Sequence, residues 1–143
     1  MALAWLFERQ DKQAALCASN VLVTLRDAEV LVPSLWHTEI SNALLLGERC
    51  RVVTEAQVID YLNRLSALPI TTDVATVASR RELVMALARE HGLTAYDAVY
   101  LDLALRTDSV LATFDVQLAS AMQAAGGTVF GKEVKVLSAH NGK

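Results

Sequence analysis

Short apolar runs that alternate with longer amphipathic segments are the feature of this sequence that most restricts its fold. Four runs have the apolar, β-branched character of buried strands, "EVLVP", "LPITT", "SVLAT" and "TVF". Between them, apolar residues recur at helical spacing. Strands that alternate with helices form parallel sheets covered on both faces, because each parallel connection must cross the sheet. We therefore predict an α/β fold of three layers, α/β/α, around a central parallel sheet.

Capping signals place the ends of the predicted helices. Ser34 can cap the helix after the first strand, and Thr54 with Gln57 has the spacing of a capping box. Gly92 stands where a left-handed residue usually ends a helix. The predicted helices cover residues 10–27, 34–48, 54–65, 73–91, 93–105 and 115–125, and "KEVKVL" is predicted to be an edge strand or a tail.

The composition fits a single domain of residues 1–143 with a hydrophobic core. Hydrophobic residues make up 53% of the chain and charged residues 20%, a composition that argues against a disordered protein. No apolar run reaches the roughly 18–20 residues of a membrane helix, and "MALAWLFERQ" lacks the features of a signal peptide. Cys17 and Cys50 have no metal-type or redox spacing, so we expect buried, reduced thiols in the cytoplasm, with a disulfide as the alternative.

The net charge of −3 argues against a protein that binds nucleic acid non-specifically through a generally basic surface. A local arginine patch is still compatible with this total, because acidic metal ligands would lower it. The candidates are Arg49 and Arg51 in "GERCR" and the pair Arg80–Arg81. Solvated helix surface is the alternative explanation for all four.

One aspartate lies on the predicted inner face of its helix. In "LTAYDAVYLDLAL", steps of three and four residues place Asp97 on the same face as Tyr100 and Leu101. Tyr96 and Tyr100 fit the apolar pattern and are predicted to be core residues. An acid on this face requires an explanation, and either a helix cap or a functional site would provide one.

Two other acids are predicted at the same edge of the sheet as Asp97. Glu39 lies in the first turns of the helix after "EVLVP", and Asp115 follows "SVLAT" by two residues. Crossover helices run antiparallel to the strands, so their N-termini gather at the carboxyl edge, where open α/β folds place their sites. Converging carboxylates repel one another unless cations neutralise them, and oxygen ligands suit Mg²⁺ or Mn²⁺. The predicted metal ligands are therefore Glu39, Asp97 and Asp115, and Thr113 can orient an acid or a metal-bound water.

This set favours metal-assisted hydrolysis of a phosphodiester, because such ions activate a water and stabilise the charge of an in-line displacement. Each residue also has a purely structural explanation. Thr94 and Asp97 have the spacing of a capping box, and Asp115 can be a plain N-cap. Glu39 can be exposed to solvent, and Thr113 can be an ordinary strand threonine.

Three segments, "VPSLWHTEISNALL", "LTAYDAVYLDLA" and "LATFDVQLASA", resemble the downstream signatures of PIN domains, specifically those of the VapC-type toxins of bacterial toxin–antitoxin pairs. "ALAWLFE" is similar to the stretch after the family's first strand, so the resemblance covers essentially the whole chain in order. It implies a Mg²⁺- or Mn²⁺-dependent endoribonuclease, commonly a homodimer, that cleaves RNA and is blocked by a small VapB-type antitoxin. The family's acids fall on Glu39, Asp97 and Asp115, and its serine or threonine before the last acid falls on Thr113.

The chain departs from the family pattern at its start. The family opens with a strand ending in Asp-x-Ser, which supplies the first metal ligand, whereas Met1 aligns just past that motif. Asp11 and Glu8 lie too far down the following helix to replace this aspartate. The expected fold is therefore PIN-like with its first strand missing. We expect a reading frame that begins upstream with this strand, and a poor nuclease without it.

The sequence supports three hypotheses. The first is metal-dependent cleavage of RNA by a PIN-like domain. The second is a PIN-like module that binds antitoxin or RNA without cleaving, which the missing aspartate favours. The third is an unrelated α/β protein whose three acids are only helix caps, and widely separated carboxyl groups would support it.

Overall fold

The computed structural model describes Val23 and residues 29–131. The predictions for residues 10–27, for Cys17 and for "KEVKVL" lie outside these described residues. The order of elements is β1 (Val30–Val32), α1 (Ser34–Arg49), α2 (Glu55–Ser66), β2 (Ile70–Thr72), α3 (Val77–His91), α4 (Ala95–Arg106) and α5 (Val116–Ala124). The predicted mixture of helices with short parallel strands is confirmed for this part of the chain.

The strands of the described residues pair in parallel, as predicted, but they do not form one continuous sheet. β1 and β2 make a two-stranded parallel sheet. The predicted strands "SVLAT" and "TVF" meet in a single parallel bridge between Leu111 and Val129. Leu111 is buried, whereas Val110 and Ala112 are exposed, so a longer ladder would protect little apolar surface. Within residues 29–131 the predicted central sheet is therefore smaller than expected, with two paired strands and one isolated bridge.

The ends of α1 and α2 follow different capping rules. Pro33 is the N-cap of α1 and makes no side-chain capping bond, so the prediction that Ser34 caps this helix is wrong. The Pro33 carbonyl accepts the N–H of Trp36, 3.0 Å away, and proline has no N–H of its own to satisfy. The predicted capping box of α2 is confirmed, because the Thr54 side chain accepts the Gln57 N–H and the Gln57 side chain accepts the Thr54 N–H.

α3 begins four residues later than predicted and ends where predicted. Thr76 caps it, since Thr76 Oγ1 accepts the N–H of Ser79 at 3.2 Å, so the helix begins at Val77 rather than at Asp73. Gly92 follows the last turn with φ of 65°, a left-handed conformation that glycine adopts without steric cost. The chain turns there and enters α4, which packs against α3.

The buried apolar residues form two clusters. The α1–α2 cluster consists of Ile40, Leu44, Val53, Val58 and Tyr61. The α4–α5 cluster contains the fully buried Leu101 and Met122 and also includes the bridge between Leu111 and Val129. Each large apolar side chain removed from water contributes about 1.5–3 kcal/mol, so these two clusters are the main stabilising parts of the described fold.

Two predictions from composition concern the surface. Cys50 is the C-cap residue of α1 and is a free, exposed thiol, so the prediction that it is buried is wrong. The end of the helix carries it out toward solvent rather than into the α1–α2 cluster. Over residues 29–131, no helix combines the length and the apolar character required to cross a membrane.

Tyr61 carries a hydroxyl into the α1–α2 cluster. Its side chain is 6% exposed, and its Oη has no hydrogen-bond partner in the described structure. A buried polar group without a partner costs about 1–3 kcal/mol. Burial also raises the pKa of Tyr61 to about 12.

We expect Tyr61→Phe to raise the free energy of unfolding by about 1 kcal/mol, because the variant keeps the ring and removes the unpaired hydroxyl. The unfolded chain loses this phenol proton near pH 10 and the folded chain only near pH 12, so wild-type stability should fall as the pH rises through that window. The variant should lack this part of the fall. Urea unfolding at neutral pH and through the alkaline window measures both effects, and a lower stability at neutral pH would show that the hydroxyl is paired.

Candidate functional site

Glu39 and Tyr100 join α1 to α4. Tyr100 Oη donates a hydrogen bond to Glu39 Oε2, although the two residues are 61 positions apart in the sequence. Glu39 lies in the second turn of α1 at an exposed position, and Tyr100 is half-buried and packs against the α4–α5 cluster. A carboxylate and a phenol from distant parts of the chain therefore meet at one place on the surface.

Asp97 lies one turn before Tyr100 on the same face of α4. Leu101 on this face is fully buried and Asp97 is partly buried, as predicted. Tyr96, however, is 63% exposed, so its prediction as a core residue is wrong. Burial, the hydrogen bond to Glu39 and the charges of Glu39 and Asp97 all raise the pKa of Tyr100. The phenol is therefore a neutral donor within electrostatic range of both carboxylates.

Asp97 also takes part in the cap of α4. Thr94 is the N-cap, and its Oγ1 accepts the Asp97 N–H at 3.2 Å. The same hydroxyl donates to Asp97 Oδ2 at 2.7 Å. The capping role that the sequence offers as an alternative is therefore present. It engages one oxygen of the carboxylate and leaves the second oxygen, Oδ1, without a hydrogen bond in the described part of the chain.

Asp115 is the N-cap of α5, and Thr113 lies beside it. Asp115 Oδ1 accepts the N–H of Leu118 at 2.8 Å, and the Asp115 N–H donates to Thr113 Oγ1 at 3.0 Å. Thr113 therefore fixes the backbone of Asp115 rather than contacting its carboxylate. The helix N-terminus favours a negative charge at this position.

Gln117 brings the start of α5 next to the turn that precedes α4. Its Nε2 donates to the carbonyl of Gly92 at 2.8 Å. Gly92 lies two residues before the N-cap of α4, and Gln117 lies two residues after Asp115. The helix starts that carry Asp97 and Asp115 are therefore neighbours.

The predicted acids are related through neighbouring residues. Glu39 accepts a hydrogen bond from Tyr100, which lies one turn after Asp97 on α4, and the Gln117–Gly92 hydrogen bond makes the starts of α4 and α5 neighbours. The described residues contain no group of three or more His, Cys, Asp or Glu side chains arranged to hold a metal ion. Carboxylates resist closer grouping unless a cation lies between them. Two carboxylates nevertheless suit Mg²⁺, which commonly takes one or two from the protein and completes its shell with water and phosphate oxygens.

The orientation of α4 differs from the one that the sequence predicts. Arg106, in the last turn of α4, forms an ion pair with Asp73, which directly follows β2. Asp97 lies nine residues earlier in the helix, roughly 13 Å along its axis. The end of α4 at the carboxyl end of β2 is thus its last turn, whereas the prediction places its first turn at this edge. The reason is that α3 and α4 form a hairpin, which reverses the direction of the second helix.

Asp102 is a buried acid that the sequence analysis missed. It is 7% exposed and accepts hydrogen bonds from Arg80 Nε at 3.0 Å and Arg80 Nη2 at 2.6 Å. Arg106 Nε lies 3.6 Å from the same carboxylate, and Arg106 also pairs with Asp73. The spacing of Asp102 and Arg106, four residues on one helix, was the available sequence signal. Arg80 is therefore held by Asp102 and is not a free cation for phosphate.

This ionic cluster lines a cleft at the carboxyl ends of β1 and β2. The cleft is shallow and open to solvent, and Ser34 and Thr76 lie on its wall. The two arginines of the cluster are matched by two aspartates. The cluster is thus best explained as an ionic connection of α3 and α4 to the end of β2.

Comparison with known protein families gives no family that matches this chain, and comparison with curated proteins gives no relative. The resemblance to PIN domains therefore depends on the quoted segments alone.

Proposed function

We propose that this chain is a metal-dependent endoribonuclease of the PIN-like type, the toxin of a VapBC-type toxin–antitoxin pair. In this proposal residues 1–143 form one cytoplasmic domain that acts as a homodimer and is inhibited by a VapB-type antitoxin. The observation that carries the proposal is the hydrogen bond from Tyr100 to Glu39, which brings Glu39 to α4 one turn from Asp97. Glu39 and Asp97 come from separate segments, and both align with metal ligands in the PIN resemblance.

Each residue of the candidate site has a defined role in this reaction. Glu39 and Asp97 would hold Mg²⁺ or Mn²⁺ through carboxylate oxygens, and Asp115 would be the third ligand from the adjoining helix start. Thr113 keeps the backbone of Asp115 in place through its hydroxyl. When bound, the ion supplies a Lewis acid for the phosphodiester oxygens and lowers the pKa of a bound water. The carboxylates would orient that water for attack on the phosphorus.

Cleavage of a single-stranded RNA by the purified chain tests this function. We expect cleavage that depends on added Mn²⁺ or Mg²⁺, stops with a chelator, and falls at least a hundredfold in Glu39→Gln, because the amide cannot replace the charge of a metal ligand. Glu48→Gln is a matched control on the same helix, outside the candidate site. Cleavage that survives the chelator or is unchanged in Glu39→Gln would contradict the proposal.

A binding module without catalysis is the second candidate. It is favoured by the absence of a metal-holding group among the described residues and by the engagement of the acids in caps and a tyrosine contact. In this case the chain would retard RNA or a VapB-type antitoxin in a binding assay but leave the RNA intact with Mn²⁺. The same preparation used for cleavage therefore distinguishes the two candidates.

A further inference from the structure

Tyr100 is the residue through which Glu39 contacts α4. Its Oη donates to Glu39 Oε2, and the charge of Asp97 acts on the same phenol from the preceding turn. We infer that Tyr100 is a positioning residue, which holds the Glu39 carboxylate in the orientation that binds a divalent ion. The inference rests on the proposed function, because the ion is the one that the endoribonuclease would use.

The two partners of this contact differ in how firmly the protein holds them. Glu39 is exposed, and its flexible side chain would otherwise sample many rotamers. The Tyr100 ring packs against the α4–α5 cluster, so its hydroxyl has a fixed position. A fixed donor that orders a flexible acceptor lowers the entropic cost of the later binding step. Tyr100 thus prepares the position of Glu39 before the ion binds.

The contact also leaves the carboxylates able to bind an ion. Tyr100 occupies Oε2 of Glu39, and Thr94 occupies Oδ2 of Asp97. Glu39 Oε1 and Asp97 Oδ1 have no hydrogen bond from any residue that the structure describes. Among the described residues, one oxygen of each carboxylate is therefore held by a hydrogen bond and the other is not. Groups that hydrogen-bond to metal ligands in this way change metal affinity about 10- to 100-fold.

We expect Tyr100→Phe to raise the dissociation constant for Mn²⁺ about tenfold, since it removes the donor and keeps the ring. The matched control is Tyr96→Phe, the same change one turn earlier on α4 at a side chain that is 63% exposed, and it should leave the constant unchanged. The electron paramagnetic resonance signal of free Mn²⁺ measures binding by the metal-free protein without RNA. Thermal melting without metal shows whether each variant is folded.

Cleavage kinetics separate positioning of the ligand from a general structural role. The Tyr100→Phe variant should require about tenfold more Mn²⁺ for half-maximal cleavage, while its kcat at saturating Mn²⁺ stays near the wild-type value. A protein damaged in its fold would not recover at high Mn²⁺.

A double-mutant cycle tests whether the effect passes through Glu39. In a Glu39→Ala background there is no carboxylate to position, so Tyr100→Phe should have no further effect on Mn²⁺ binding.

Three results would overturn the inference in distinguishable ways. A wild-type chain that does not bind Mn²⁺ removes both the proposed function and the role of Tyr100. Wild-type binding that Tyr100→Phe leaves unchanged removes the role of Tyr100 alone. A loss of equal size with and without Glu39 removes the positioning of Glu39.

Discussion

Asp102→Ala should lower the free energy of unfolding by about 3 kcal/mol and the melting temperature by roughly 10 °C. Asp102 is 7% exposed, and its carboxylate receives two hydrogen bonds from Arg80 and lies 3.6 Å from Arg106. Alanine would leave both guanidinium groups without their central partner in a partly buried setting. The arginine side chains are 30% and 26% exposed, so solvent compensates in part and the effect lies at the lower end for a buried pair.

A matched control separates this buried pair from ordinary surface charge. Asp60 and Arg64 also pair on a helix, at 2.9 Å, but their side chains are 61% and 79% exposed. Asp60→Ala should therefore change the free energy of unfolding by no more than about 0.5 kcal/mol. Urea unfolding of the wild type, Asp102→Ala and Asp60→Ala measures the change in the free energy of unfolding for each substitution. Equal effects of the two substitutions would show that the Asp102 cluster does not stabilise the fold.

The double variant Arg80→Met/Asp102→Leu tests the physical cause. If the loss in Asp102→Ala comes from stranded charge, replacing both partners with apolar side chains should recover most of the stability. If the charges themselves supply the stability through attraction, the double variant should be at least as unstable as Asp102→Ala.

The features that the sequence predicts correctly are those whose cause is local. Thr54 and Gln57 satisfy each other's backbone within one helical turn, and Gly92 ends α3 because of its own backbone freedom. The inward position of Asp97 follows from helical periodicity alone. In each case the residues that determine the feature lie within four positions of one another, so the local sequence is sufficient to predict it.

The features that the sequence does not predict depend on distant partners. Glu39 meets Tyr100 across 61 positions, and Arg80 meets Asp102 across 22. Residue types and periodicity do not specify such pairs, because many acids and many donors lie on suitable faces. The strand "SVLAT" shows the same limit, since a strand forms only as far as its partner continues, and here one residue is paired.

Asp97 combines a local role and a proposed distant one, and Asp97→Asn separates them. Asparagine can still accept the Thr94 hydroxyl, and the N–H of residue 97 still bonds to Thr94 Oγ1, so the cap of α4 should survive. The substitution removes one negative charge, which interacts favourably with the helix N-terminus by about 0.3–1 kcal/mol and which would repel Glu39 in the proposed site. If repulsion dominates, the variant should melt, without metal, at the same temperature as the wild type or higher.

With Mn²⁺ present, the wild type and Asp97→Asn should differ strongly in RNA cleavage and in melting temperature. Loss of one charged ligand removes several kcal/mol of transition-state stabilisation, which corresponds to a fall in RNA cleavage of about a hundredfold to a thousandfold. The rise in melting temperature that Mn²⁺ produces in the wild type should also disappear, because that rise measures binding to the folded state. Asp60→Asn makes the same change at an exposed position on α2 and should alter neither quantity. A clear fall in metal-free melting temperature with cleavage intact would mean that Asp97 is only a cap. A metal ligand that lost its charge would bind the ion more weakly, and cleavage would fall.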